Sequence, residues 1–211
     1  MNSSDRSQWL DKVYSARNNT ELAEGYDAWA QDYEQDVLSF GYKIPAIMSG
    51  LIGRYLPSGT GRILDAGAGT GILGENLFVM GYKDLVGIDL SAGMLEVARK
   101  KGVYRNLLQM TLGQKLDFAD NAFAATVSMG VFTEGHAPAE SFDELIRITE
   151  PRGYIIFSVR ADVYLNKGFK KKQDSLKKEG KWRLVEQTEP FQALPLGNSK
   201  IYNRVFVYRA S

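Results

Sequence analysis

The chain has 211 residues, of which 44% are hydrophobic and 24% are charged, and its formal net charge is +1. These values are typical of one globular domain of ordinary size, and they provide no global field that would attract nucleic acid or an anionic membrane. The absence of cysteine excludes disulfides, thiolate metal sites and a cysteine nucleophile.

The first six residues are polar and lack the apolar stretch of a signal peptide, and the chain contains no run of 18 apolar residues. We therefore expect a cytoplasmic monomer without membrane contact, with entry into the nucleus left open. We expect a single domain over residues 1–211. It would consist of an N-terminal helical cap (1–56), a ligand-binding core (57–160) and a C-terminal helix and hairpin (161–211).

The pattern of the first 56 residues predicts helices. Short helices are expected over residues 7–18 and 45–56. Between them, apolar and aromatic residues recur every three or four positions and predict one amphipathic helix: Leu22, Tyr26, Trp29, Ala30, Tyr33 and Val37. Two interpretations of the aromatic face stay open, because the rings either belong to the core or cover a ligand.

Apolar strands and helices alternate through the middle of the chain. Strands are predicted at residues 63–65, 85–89, 107–112, 123–129 and 153–159. This alternation is typical of a parallel sheet covered on both faces. A lysine-rich helix follows over residues 166–179. Two further strands, 182–189 and 201–209, are joined without a helix and predict an antiparallel hairpin at one edge of the sheet.

The segment from Arg62 to Gly71 is the clearest indication of a ligand site. Asp65 ends the first strand, and glycines at 67, 69 and 71 then form a turn before a helix begins at Ile72. A turn with so few side chains lets a ligand lie against the main chain beside a helix N-terminus. The alternative is a tight turn without a ligand, but such a turn needs one glycine with positive φ rather than three.

A second acid, Asp89, ends the second strand, 18 positions after Gly71. Ligands of open α/β sheets lie outside the carboxyl ends of the strands, where an acid can hold both hydroxyls of a ribose. Nicotinamide cofactors use the same arrangement, but their fingerprint needs a glycine at the position of Ile72. The G-x-G-x-G spacing, together with the helices before the first strand, favours S-adenosylmethionine over NAD.

Three motifs resemble those of class I S-adenosylmethionine-dependent methyltransferases. They are LDAGAGTG at 64–71, VGIDLS at 86–91 followed by Met94, and EPRGY at 150–154. The flanking segments 13–14, 26–37, 111–114 and 128–136 are similar to the methyltransferase-like proteins of the Williams–Beuren syndrome chromosomal region. This resemblance implies a doubly wound, mostly parallel seven-stranded sheet of the Rossmann-like methyltransferase fold, with an antiparallel C-terminal hairpin and an N-terminal helical cap. It also implies methyl transfer from S-adenosyl-L-methionine, which leaves S-adenosyl-L-homocysteine.

The resemblance implies cofactor contacts at the matching positions. Asp65 would face the amino group and the sulfonium, and Asp89 would hold the ribose. The turn would contact the methionine half of the cofactor through Ala66, Gly67, Ala68, Gly69, Thr70 and Gly71. Leu90 and Met94 would flank the adenine, and Met129 would lie under the cofactor.

Two further parts of the cofactor site are less regular. Tyr33 and Trp29 would contact the methionine carboxylate or cover the positive sulfur. Most relatives carry an acid after the third strand that meets the adenine amine, but this chain has Leu112 there. We therefore expect the main chain of Leu112 and Gly113, or the Gln114 side chain, to replace that contact.

The acceptor of the methyl group stays open between a small molecule and an exposed protein or RNA group. His136 and the neighbouring Glu134 follow the fourth strand and are the candidate catalytic residues, although a lone histidine there can also be structural. Residues 129–132 lack the Asn/Asp-Pro-Pro-Tyr sequence of DNA adenine methyltransferases, so DNA is not expected as a partner. No metal site is expected.

Two alternatives to this interpretation remain. The lysines between 167 and 181 predict a solvated helix face, with an RNA or acidic-protein contact as the alternative. The chain could also be a catalytically silent regulatory module that binds the cofactor without turning it over.

Overall fold

The computed structural model describes residues 3–198 and 200–211. The helices in this part of the chain are α1 (Ser3–Tyr14), α2 (Asn19–Trp29), α3 (Tyr33–Ser39), α4 (Ile44–Tyr55), α5 (Ile72–Val79), α6 (Ala92–Lys100), α7 (Ser141–Ile148), α8 (Ala161–Asn166) and α9 (Phe169–Lys178). The strands are β1 (Ile63–Ala66), β2 (Leu85–Asp89), β3 (Asn106–Gln109), β4 (Phe123–Phe132), β5 (Thr149–Arg160), β6 (Trp182–Gln187), β7 (Phe191–Gln192) and β8 (Tyr202–Ala210).

The strands form one mixed sheet in the order β3-β2-β1-β4-β5-β8-β6. The first five pair in parallel, whereas β8 runs antiparallel to both β5 and β6. The predicted fold class is confirmed, and the sheet gains an eighth strand because the two-residue β7 also pairs with β8. The order reverses between β1 and β4, so the carboxyl ends of β1, β2 and β4 meet at one edge of the sheet.

Two predicted helices differ from those in the structure. The single aromatic helix expected over residues 22–37 is wrong, because the chain turns at 30–32 between α2 and α3. The Asp32 N–H donates to the Trp29 carbonyl at 3.0 Å, and the Trp29 indole donates to Asp36 at 2.8 Å across the turn. The lysine-rich helix predicted over residues 166–179 is present as α9 but begins three residues later, after Gly168, which takes a left-handed φ of 82°.

Three apolar clusters organise the molecule. Two of them cover the two faces of the sheet, around Phe157 on one side and around Val127 on the other. The third joins α1, α2 and α3 through Val13, Leu22 and Trp29. It packs the N-terminal helices against one another beside Leu90, at the carboxyl end of β2.

A polar contact fixes α2 on the N-terminus of α6. The Asp27 carboxylate accepts hydrogen bonds from the Ser91 hydroxyl at 2.5 Å and from the Gly93 N–H at 2.8 Å. Ser91 also caps α6 by accepting from the Met94 N–H, as its position in the sequence predicts. A methyl group on Gly93 would lie 2.9 Å from the Asp27 Cα, so glycine permits this close approach.

Among the described residues, no helix combines the length and the apolar character that crossing a bilayer requires. The division of the single domain into cap, core and C-terminal segments stays a prediction.

Candidate functional site

A cleft lies at the carboxyl ends of β1, β2 and β4, where helix α2 covers it. Its volume is about 690 Å³ when the open solvent at its mouth is included. We call it the main cleft. It is lined by Asn19, Leu22, Tyr26, Tyr33, Gly67, Gly69, Ile88, Asp89, Leu90, Met94, Met110, Thr111, Leu112, Met129, Gly130, Val131, His136 and Ala137.

Asp89 is the only carboxylate among these lining residues, and the main chain holds it from both sides. One oxygen accepts from the Gly69 N–H at 2.8 Å, and the other accepts from the Ser91 N–H at 2.9 Å. Burial raises the pKa of Asp89, while these two bonds act in the opposite direction. A carboxylate has about four acceptor positions, so Asp89 keeps acceptor capacity for ligand hydroxyls.

The glycine turn presents little free N–H to a ligand. The N–H groups of Gly67 and Ala68 both donate to the Ile88 carbonyl, and that of Gly71 donates to Ala68. What the turn supplies is space. A methyl group on Gly69 would meet nothing within 4 Å, whereas one on Gly67 would overlap Val131.

Asp65 lies behind the turn rather than on the lining of the cleft. Its Oδ2 accepts from the Tyr104 hydroxyl at 2.7 Å, and Tyr104 also packs against Gly71 and Gly74. Burial raises the pKa of Asp65 to about 7. Its Oδ1 is buried and has no hydrogen-bond partner among the described residues, so it is available to a donor that comes near.

His136 and Tyr26 form a hydrogen-bonded pair at the other end of the main cleft. His136 Nδ1 lies 2.6 Å from the Glu134 carbonyl, which can only accept, so the proton is on Nδ1. The Tyr26 hydroxyl, 2.7 Å from Nε2, is therefore the donor in that bond. Burial lowers the pKa of His136 to about 4, so the imidazole is neutral at pH 7 and Nε2 keeps a basic lone pair.

The main cleft brings together many of the site residues predicted from the sequence. Those on its lining are Tyr33, Gly67, Gly69, Asp89, Leu90, Met94, Leu112, Met129 and His136. Those outside the lining are Trp29, Asp65, Ala66, Ala68, Thr70, Gly71, Gly113 and Glu134. The contact that each residue makes with a ligand stays a prediction for both groups.

Several residues outside the lining have identifiable partners. The Glu134 carboxylate pairs with Lys167 at 2.9 Å. Gly113 takes a positive φ, and a methyl group there would press on Pro138. Trp29 is fully buried and lines a second cavity beside the main cleft.

Sequence reasoning missed several residues of the lining, notably Asn19, Thr111, Gly130 and Val131. Gly130 offered a signal, since a glycine inside an apolar strand often marks a bulge or a close approach. Here it has a φ of 74° and breaks the regular pairing of β4 with β5. Asn19 carries no such signal, because only the packing of the helical cap brings it to the site, and Val131 is one apolar residue among several at the end of β4.

Comparison with known proteins decides the family. A family model described as a methyltransferase domain matches residues 64–157. Methyltransferase-like protein 27 of Homo sapiens is 32% identical over 180 residues, which cover 81% of this chain and 73% of that protein. The chain belongs to the methyltransferase-like protein 27 family. It is therefore an S-adenosylmethionine-dependent methyltransferase, and S-adenosyl-L-methionine is its cofactor.

Solved structures share the fold at low sequence identity. An S-adenosylmethionine-dependent methyltransferase of Thermotoga maritima, described as a possible histamine N-methyltransferase, superposes with a TM-score of 0.62 at 21% identity. The match covers 88% of this chain and 98% of that one. A methyltransferase of Haloferax volcanii, solved in complex with the activator Trm112, gives a TM-score of 0.64 at 18% identity. This superposition covers 88% of this chain and 97% of the Haloferax volcanii chain.

The residues of the main cleft fit this cofactor. Asp89 keeps acceptor positions suited to two ribose hydroxyls, and Gly69 leaves open space beside it. Behind the turn, the buried Asp65 Oδ1 has no partner among the described residues and can accept a hydrogen bond from a ligand donor.

Proposed function

We propose that this methyltransferase transfers the methyl group of S-adenosylmethionine to a small molecule at the Tyr26–His136 end of the main cleft. The observation that carries the proposal is the arrangement of Asp89 and His136, which lie on the lining of one cleft. Asp89 is an acceptor for the ribose, and His136 keeps a basic lone pair. Asp89 is suited to holding the methyl donor, and His136 is suited to removing a proton from the methyl acceptor.

In this proposal each part of the main cleft holds one part of the cofactor. Asp89 accepts hydrogen bonds from the ribose hydroxyls, while Leu90, Met94 and Leu112 contact the adenine. The open side of Gly69 and the ring of Tyr33 lie by the methionine half. When bound, the cofactor supplies a methyl group that its positive sulfur has already activated.

The proton of the acceptor leaves through Tyr26 and His136. Tyr26 Oη accepts the proton of the reacting hydroxyl or amine while it donates its own to His136 Nε2, 2.7 Å away. A hydroxyl oxygen that is gaining a methyl group becomes strongly acidic, so a base whose pKa is about 4 is sufficient. The Glu134 carbonyl keeps the ring oriented throughout this transfer.

Two observations support a small acceptor over a protein or RNA group. Helix α2 supplies Asn19, Leu22 and Tyr26 to the lining of the main cleft and is fixed by Asp27, so the acceptor side lies under a helix rather than on an open surface. The basic region is also partly neutralised, because three of its lysines pair with surface acids: Lys167 with Glu134, Lys170 with Asp174 and Lys172 with Asp143.

The test measures S-adenosylhomocysteine release by mass spectrometry after a cell extract is divided into a small-molecule filtrate and a macromolecular retentate. We expect the filtrate to support turnover. We also expect His136→Gln to slow turnover by about 10²-fold or more, because it removes the base, with cofactor affinity unchanged. Turnover with the retentate alone would contradict the small-molecule acceptor. Cofactor binding without turnover in either fraction would favour the silent regulatory module.

A further inference from the structure

A second cavity lies directly behind the main cleft. Its volume is about 480 Å³ when the open solvent at its mouth is included, and we call it the inner cavity. Tyr26, Tyr33 and Gly130 line both spaces, so these three residues form the boundary between them. A molecule in the inner cavity would therefore have the Tyr26 hydroxyl and the main cleft at one end.

The lining of the inner cavity is apolar and aromatic. Five aromatic rings belong to it, from Tyr14, Tyr26, Trp29, Tyr33 and Tyr42, and the segment 193–201 supplies aliphatic side chains. Among the described residues of this lining, none is an acid, a lysine, an arginine or a histidine. Burial raises the pKa of Tyr26, Tyr33 and Tyr42, so these hydroxyls stay neutral.

Besides the tyrosine hydroxyls, two polar side chains belong to this lining. Thr133 and Asn203 are 8% and 4% exposed, and both side chains line the inner cavity. Thr133 Oγ1 and Asn203 Oδ1 are buried without a hydrogen-bond partner among the described residues. Buried polar atoms in native proteins are normally satisfied by protein, water or ligand, so these two atoms can take a hydrogen-bond donor that enters the inner cavity.

The hydrogen-bonding chemistry of Thr133 Oγ1 and Asn203 Oδ1 restricts the chemical class of the ligand. An amide oxygen only accepts, and a threonine hydroxyl both donates and accepts. A neutral hydroxyl satisfies both, whereas a carboxylate would find no cation on the lining to balance its charge. An ammonium group would have no carboxylate there to balance its charge. Flat rings pack well among five aromatic side chains.

We propose that the inner cavity is the acceptor site and that it takes an uncharged ring compound that carries hydroxyl groups. This inference rests on the proposed function. Transfer breaks the bond between sulfur and methyl, and the electron pair stays on sulfur, which becomes the thioether of S-adenosylhomocysteine. A lone pair of the acceptor oxygen forms the new bond to the methyl group, and the hydroxyl proton passes to Tyr26 and then to His136.

Three matched probes of similar size test the class of ligand: p-cresol, which is neutral, 4-methylbenzoate, which is negative, and 4-methylbenzylamine, which is positive. Binding of each is measured by ligand-observed NMR with the protein saturated by S-adenosylhomocysteine. We expect p-cresol to bind at least tenfold more tightly than either charged probe. A charged probe that binds as tightly as p-cresol, or no binding of p-cresol up to its solubility limit, would overturn the proposal.

The site is tested with Asn203→Leu and Thr133→Val, which remove the unpaired atoms and keep the approximate volume. We expect each variant to bind p-cresol at least fivefold more weakly, with the melting temperature retained or raised and S-adenosylhomocysteine affinity unchanged. Asn106→Leu, on the exposed edge strand β3, is the control and should change neither affinity.

The outcomes distinguish a failure of the proposed function from a failure of the inner cavity as the acceptor site. Failure of the wild-type protein to bind S-adenosylhomocysteine would contradict the proposed function itself. Normal S-adenosylhomocysteine binding, with p-cresol affinity identical in wild type, Asn203→Leu and Thr133→Val, would overturn the inner cavity alone. Because the variants replace orphaned polar atoms, they test the ligand rather than the fold.

Discussion

Asp65 and Asp89 end neighbouring parallel strands, yet their carboxylates have different surroundings. Asp89 lies on the main cleft and receives two main-chain N–H groups, whereas Asp65 lies behind the glycine turn and receives one tyrosine hydroxyl. The sequence predicts both acids at the same edge of the sheet because each follows a buried strand. It does not predict Tyr104 as a partner, because that residue lies 39 positions away in a loop that precedes β3.

The elevated pKa of Asp65 gives a prediction about pH. Its carboxyl group has an ordinary pKa of 3.8 and a folded-state pKa of about 7. The folded state thus binds a proton that the unfolded state has lost, and stability from this group falls as pH rises from 4 through 7. Asp65→Asn removes the titration and keeps an acceptor for Tyr104. The free energy of unfolding of Asp65→Asn, taken relative to that of wild type, should therefore increase with pH by up to about 1.4 kcal/mol per pH unit.

The measurement is urea unfolding of both proteins without cofactor between pH 4 and 8. His136 contributes the opposite slope, because its pKa is lowered to about 4 in the folded state. His136 contributes equally in wild type and in Asp65→Asn, so the difference between their free energies of unfolding reports the titration of Asp65 alone. Asp117→Asn, at an exposed aspartate, is the control. A constant difference between wild type and Asp65→Asn across this range would contradict the assignment.

At the scale of elements, the contact between α2 and α6 determines how the helical cap covers the main cleft. Asp27 joins the two helices, and its negative charge lies at the N-terminus of α6, where the helix dipole favours it. Asp27→Ala removes both hydrogen bonds, so we expect the cap to loosen at a cost of about 1 kcal/mol. The sheet should keep its structure, since none of its contacts depends on Asp27.

Hydrogen exchange measures this effect element by element. Amides of α2 should exchange faster in Asp27→Ala while those of β1, β4 and β5 are unchanged, and S-adenosylhomocysteine should bind more weakly. Glu24→Ala, at an exposed position on the same helix, should behave like wild type. Unchanged exchange in α2 would show that apolar packing around Trp29 holds the cap without Asp27.

The elements of the core were more predictable from sequence than those of the cap. Apolar strands bounded by glycines and acids locate β1 and β2 to within a residue or two, and parallel pairing follows from the intervening helices. The spacing of Tyr26, Trp29 and Tyr33 fits one continuous helix equally well. The break between α2 and α3 depends on the bond from Trp29 to Asp36, which periodicity cannot reveal.

At the scale of the whole molecule, strand order explains why one site collects residues from distant parts of the chain. The reversal between β1 and β4 opens the sheet edge where the main cleft lies. The helical cap then brings Tyr26 to His136, across 110 positions of sequence. The donor side of the site was predictable because its residues follow strands, whereas the acceptor side depends on how the cap packs over them.

The central claim is that the main cleft holds the cofactor through Asp89, and calorimetric titration with S-adenosylhomocysteine tests it most directly. Asp89→Asn replaces one oxygen with a donor that faces a main-chain N–H group or a ribose hydroxyl. Since hydrogen bonds to a charged group contribute about 1.5–3 kcal/mol, we predict that Kd rises by about 10- to 100-fold. Asp117→Asn should bind like wild type. Equal affinity in wild type and a correctly folded Asp89→Asn would contradict the account.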